Sequence, residues 1–130
     1  MNGQMNCKMV VKCLKIAKEL NRETEASTSH YSFLVRKNSI NSMGYNLIKK
    51  THPIAHKLNY RYPTRHSELN CILNFSGKEL KDFYMINYRF DKMGNLAMSK
   101  PCCSCQRLLK DYNVGKVIYS SGYGFKIWNQ

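Results

Sequence analysis

Two short stretches decide how this sequence is read: RHSELNCILNF, residues 65–75, and PCCSCQRLLK, residues 101–110. Each opens on side chains able to hold a metal or a proton and continues in a helical pattern. Leu69, Ile72, Leu73 and Phe75 recur at three- and four-residue steps, which predicts a helix over residues 66–75. Thr64 suits its N-cap, Glu68 its first turn and Gly77 its end. In the second stretch Pro101 fits a first-turn position and opens a helix over residues 102–112. Between them lies DFYMINYRF, residues 82–90, the strongest strand pattern in the chain. Helix, strand, helix is therefore the kernel of the fold.

Cys102 and Cys105 are three residues apart, so at a helix start their sulfurs share a face. The positive end of a helix favours thiolates. Two thiolates and an imidazole form a soft ligand set suited to Zn²⁺, and His66 is the natural third ligand. Three protein ligands leave a fourth position open for a water that becomes nucleophilic near neutral pH. Glu68, two residues after His66, can move protons there without touching the metal. The bland alternative is a closed structural zinc, which needs a fourth ligand. Cys103 is turned about 100° away along the helix, and Cys71 falls on an apolar face. Cys7 and Cys13 are expected to pack the first helix. A redox dithiol would leave His66 and Glu68 without purpose.

Outward from this kernel, residues 4–20 carry apolar positions at helical spacing with lysines elsewhere on the wheel. HYSFLVRK, residues 30–37, reads as a strand, Asn38 and Ser39 as a turn, and INSMGYNLIK, residues 40–49, as the return strand, with Gly44 either weakening it or marking a bulge. Residues 51–65 form a connector rich in basic and aromatic side chains. Residues 114–121 and 124–128 are the last strands, and the GYG between them is too short for a crossover, so they run antiparallel. The chain reads as one domain, residues 1–130, with a basic N-terminal helix over residues 1–20 and a core over residues 30–128. The expected architecture is α/β: a three-layer α/β/α sandwich around a mixed five-stranded sheet.

His-x-Glu followed by Pro-Cys-x-x-Cys is the signature of zinc deaminases. With the strand between the motifs, the chain resembles the cytidine and deoxycytidylate deaminase superfamily over about residues 30–121. The wording of the hairpin and of the cysteine motif is similar to phage-type deoxycytidylate deaminases, whereas the antiparallel end resembles the free-nucleoside branch. The resemblance implies zinc on His66, Cys102 and Cys105, and Glu68 as proton shuttle. It implies that Asn46 faces the sugar and that the Ser67 backbone faces the base carbonyl, Ser67 standing where many members have alanine. The activity implied is hydrolytic deamination of cytosine to uracil.

Charge bears on the substrate. With 21 Lys and Arg against 8 Asp and Glu, the net charge is +13, which favours polyanionic or phosphorylated partners. Lys49 and Arg65 border the basic stretch that runs into His66 and are candidates to hold a phosphate. Tyr45, Tyr60, Tyr62, Tyr119 and Tyr123 are candidates for stacking on bases. The favoured substrate is a cytidine or deoxycytidine nucleotide. The alternatives are cytosine in single-stranded DNA or RNA, and a non-catalytic zinc module that binds nucleic acid. There is no signal segment and no apolar run long enough to span a membrane. The expectation is thus a cytoplasmic protein, compatible with viral or phage origin, that has no membrane partner and in which homo-oligomer formation stays open.

Overall fold

The computed structural model describes residues 6–22, 29–51, 64–75 and 80–130; of residues 47–51 and 64–65 only the backbone is described. In chain order the elements are α1 (Cys7–Arg22), β1 (Ser29–Arg36), β2 (Ser39–Tyr45), β3 (Leu47–Thr51), β4 (Thr64–Arg65), α2 (Ser67–Asn74), β5 (Tyr84–Phe90), β6 (Leu96–Ala97), α3 (Cys103–Asp111), β7 (Lys116–Ser121) and β8 (Gly124–Asn129).

The main sheet has the order β2-β1-β5-β7-β8, with the two-residue β6 paired to the end of β5. Only β5 and β7 are parallel. β7 and β8 run antiparallel, as the short connection requires. Alternation along the strands sorts the core into two layers. Tyr31, Phe33, Val35, Ile86, Tyr88 and Ile118 face α1, where Met9, Val10, Cys13 and Ala17 meet them. Leu34, Met85, Val117 and Tyr119 face the other way, against Leu69, Ile72, Leu108 and Leu109 of α2 and α3. The result is the expected three-layer sandwich with a mixed sheet.

Several local expectations are corrected. α1 starts later than its apolar pattern because Asn6 caps it: its Oδ1 accepts the Met9 N–H at 3.3 Å. Cys7 consequently sits in the exposed first turn, while Cys13 is buried. The return strand over residues 40–49 is two strands. Asn46 ends β2 because its side-chain oxygen, rather than a continuing backbone, takes the His30 N–H at 3.1 Å. The chain then forms a separate ribbon in which β3 pairs antiparallel with β4. Thr64 belongs to that ribbon, and the N-cap of α2 is His66. Likewise Pro101 precedes α3 by two residues, and Cys102 is the N-cap. Gly77, Tyr60 and Tyr62 lie outside the described residues.

Gly44 is not at the bulge. It pairs with Ser32, and the irregularity lies between Leu34 and Val35. Its missing side chain serves packing instead: a Cβ there would stand 2.3 Å from the Cys71 nitrogen and 2.6 Å from the Ser67 oxygen. Helix α2 thus lies with its backbone directly on β2. Gly44→Ala is expected to displace α2 and to cost about 3 kcal/mol or more, at the upper end for overpacking. Urea denaturation checks this, and an unchanged midpoint would show that the contact yields.

Candidate active site

Two helix N-termini converge over the end of the sheet. His66 caps α2 and Cys102 caps α3, neither with a side-chain capping bond. Their side chains are therefore not spent on their own helices. Cys105 follows one turn into α3 and is buried. The His66 Nδ1 lies 3.9 Å from the Cys102 Sγ and 3.7 Å from the Cys105 Sγ. All three ligand atoms lie within 4.8 Å of one another. Zinc bonds of about 2.0–2.1 Å to nitrogen and 2.3 Å to sulfur, at a tetrahedral angle, separate ligand atoms by roughly 3.6–3.8 Å. The donor set and its spacing fit that ion. Hydrogen bonds from the Cys105 thiol and the His66 ring hold the Cys102 thiol down to about 4, against the opposing effect of burial. A thiolate ready for a metal is the natural state of this group. Burial pushes Cys13 and Cys71 up to about 12, as befits core thiols. Cys103 is exposed, facing away from the trio.

Glu68 is buried beside these ligands, with 7 % of its surface exposed. Burial raises its carboxyl above the ordinary carboxylate range. The Asn87 amide donates to the Glu68 Oε2 at 3.1 Å and to the Ser99 carbonyl at 3.2 Å. That orients its oxygen toward the Ser32 hydroxyl, which donates to it at 2.7 Å. Ser32 and Ser67 hydroxyls meet at 2.8 Å, and Ser67 reaches the Glu68 Oε1 at 3.2 Å. The Ser67 hydroxyl donates to that oxygen, a bond that favours the carboxylate and opposes part of the rise that burial causes.

Motif spacing singles out His66, Glu68, Cys102 and Cys105, and the fold brings these four side chains together. Ser67 is buried with its hydroxyl in the Glu68 network. Asn46 is half-buried on the His30 backbone. Lys49 and Arg65 have their backbones in the β3–β4 ribbon that leads into His66; their side chains lie outside the described residues. Of the aromatic candidates, Tyr119 is core, while Tyr45 and Tyr123 are exposed.

Motif reading overlooked Ser32, Asn87 and Ser99. The available signal was a polar residue in the middle of an apolar strand: Tyr31-Ser32-Phe33 and Ile86-Asn87-Tyr88.

Solved structures with a similar fold include two deaminases. The dCMP deaminase of cyanophage S-TIM5, solved in complex with dCMP and dUMP, superposes with a TM-score of 0.56 at 15 % identity over 89 % of this chain and 83 % of its own. The cytidine deaminase of Mycobacterium leprae superposes with a TM-score of 0.51 at 15 % identity over 95 % and 94 %. The chain has the fold of these two deaminases. No family model matches the sequence, and no curated protein sequence does either. Among the described residues, no helix is long and apolar enough to cross a membrane.

His30 stands at the rim, opposite Arg89. Burial, and then the charges of Arg89 and His66, hold its ring down to about 4 from the ordinary 6.5. The folded protein keeps this imidazole neutral where the unfolded chain protonates it. The unfolded state thus binds more protons across that window, and stability falls as pH drops from about 6.5 to about 4. His30→Gln is expected to flatten this loss. Urea midpoints of the metal-free protein at pH 7, 5.5 and 4.5 measure it. Equal slopes in both proteins would mean that the native ring is already charged.

Proposed function

We propose that this protein is a zinc-dependent hydrolytic deaminase that converts cytosine to uracil in a cytidine or deoxycytidine nucleotide. One observation carries the reading: a His-Cys-Cys donor set of zinc geometry next to a buried carboxyl held by the Ser67 and Asn87 side chains. The fold supports it, since one similar structure is a cytidine deaminase and another holds dCMP and dUMP.

His66, Cys102 and Cys105 hold the ion, which when bound supplies a Lewis acid that makes water nucleophilic near neutral pH. Glu68 takes the proton released as the water oxygen adds to C4 of the ring. It delivers that proton to the adjacent ring nitrogen. It then moves the remaining proton of the new C4 hydroxyl to the exocyclic amino group, and the C4–N bond breaks to give the carbonyl of uracil and ammonia. A carboxyl raised by burial suits this traffic, because burial favours its proton-bearing form over that of an exposed carboxyl. Asn87 and Ser67 fix the two carboxyl oxygens and so keep the shuttle aligned. The Ser67 backbone faces the base carbonyl. Asn46 spends its Oδ1 on His30 and keeps its Nδ2 as a donor for a sugar hydroxyl. Lys49 and Arg65 add positive charge along the entrance ribbon.

Ammonia release from dCMP, cytidine and a cytosine-containing oligonucleotide tests this reading. Turnover of dCMP is expected, lost on chelation and restored by zinc. Turnover of the oligonucleotide alone would move the substrate to single-stranded nucleic acid, and no turnover of any would sink the reading. Glu68→Ala is expected to lower kcat by about 100-fold or more with zinc content unchanged. Loss of zinc in that variant would make Glu68 a ligand or a folding residue.

A further inference from the structure

We propose that His30 and Arg89 form the subsite that receives the 5′-phosphate of the nucleotide. The inference rests on the cytosine-nucleotide reading and adds the residues that would distinguish nucleotide from nucleoside.

Register places the pair. His30 lies directly opposite Arg89, and Ser32 directly opposite Asn87, in the antiparallel ladder of β1 and β5. Side chains two residues apart on a strand share a face. Ser32 and Asn87 face α2, where they bind the Ser67 and Glu68 side chains. His30 and Arg89 therefore lie on the same face, one step of about 7 Å further along the strands. The His30 N–H is bound by the Asn46 side chain, so the residue assigned to the sugar adjoins the pair. A nucleotide with its base at Glu68 and its sugar at Asn46 carries its 5′ end toward His30 and Arg89.

The chemistry of Arg89 calls for an anion. Its Nε is buried and has no hydrogen-bond partner among the described residues. Asp91, the nearest acid along the chain, spends its Oδ1 on the Met93 and Asn95 N–H groups of the following turn. Arg89 as a whole is half-buried, and one guanidinium nitrogen buried without an acceptor calls for an explanation. The planar guanidinium matches a phosphate through paired N–H donors. His30 adds a second donor beside it, and the charge of Arg89 already bears on that ring. The ring is neutral in the free protein, and an anion between the two would favour its charged form.

The test compares dCMP with deoxycytidine in the zinc-loaded wild type, Arg89→Met and Arg89→Lys. Arg89→Met is expected to lower kcat/KM for dCMP by about 10- to 100-fold, chiefly through KM, with deoxycytidine changed less than about twofold. Arg89→Lys, which keeps the charge and loses the fork, is expected to fall between. It also serves should the methionine variant fold poorly. Equal losses for both substrates would show a structural role and overturn the proposal. So would an unchanged rate with dCMP, or a loss that appears in Lys49→Met or Arg65→Met instead. Calorimetric binding of dUMP and deoxyuridine to the same proteins separates this idea from the deaminase reading. If nothing is turned over, the deaminase reading fails. The subsite still stands if the wild type prefers dUMP and Arg89→Met does not, and it falls if the wild type shows no preference.

Discussion

Helix α2 touches β2 backbone to backbone at Gly44, and the placement of His66 and Glu68 follows from that contact. The helix is fastened there by side chains reaching across to main chain. Ser42 donates to the Cys71 carbonyl at 2.6 Å, Asn70 to the Tyr45 carbonyl at 3.1 Å and Asn74 to the Met43 carbonyl at 2.9 Å. These bonds are distributed along the helix and resist both sliding and rotation. His66 and Glu68 occupy the first turn of this clamped element. Their positions are thus set by rigid main chain rather than by a loop, the condition under which a constellation keeps sub-ångström geometry.

Beneath the helix the sheet carries a buried polar row where an apolar core would be more stable. Ser32, Ser67, Glu68, Asn87, Ser99 and Ser120 are all buried. Ser99 ties the row to the strand behind it: its hydroxyl donates to the Asn87 carbonyl at 3.0 Å, lies 2.8 Å from the Ser120 hydroxyl and accepts the Ser120 N–H at 2.7 Å. A row of this kind is tolerable only when its members satisfy one another. This row does so while pointing one amide at a carboxyl. The surrounding layers of Leu, Ile, Phe and Tyr supply the burial that offsets its cost.

The sequence made the order of elements and the cluster of His66, Glu68, Cys102 and Cys105 legible, because those features rest on local spacing. Three residues between two cysteines on a helix start leave little geometric freedom. The polar row was not legible, because it joins Ser32 to residues 35 and 55 positions away. Side-chain identity in a strand does not announce its partner across such distances. The end of β2 was missed for a related reason: an asparagine side chain stood in for the next rung of the ladder. The caps of α2 and α3 were misplaced because the usual capping chemistry is absent, both cap positions being occupied by residues aimed at each other.

The layer formed by α1 has a bearing on encounter rather than on chemistry. Lys8, Lys12, Lys15, Lys18 and Arg22 are exposed on it, across the sheet from Glu68. Charge on that side does not funnel an anion into the site. It surrounds the molecule with a diffuse positive potential, felt over about 10 Å at 0.1 M ionic strength. Such a field concentrates phosphorylated solutes near the protein without orienting them. Under the proposed nucleotide reading, orientation would fall to short-range donors at the sheet's end, on the face opposite that charge.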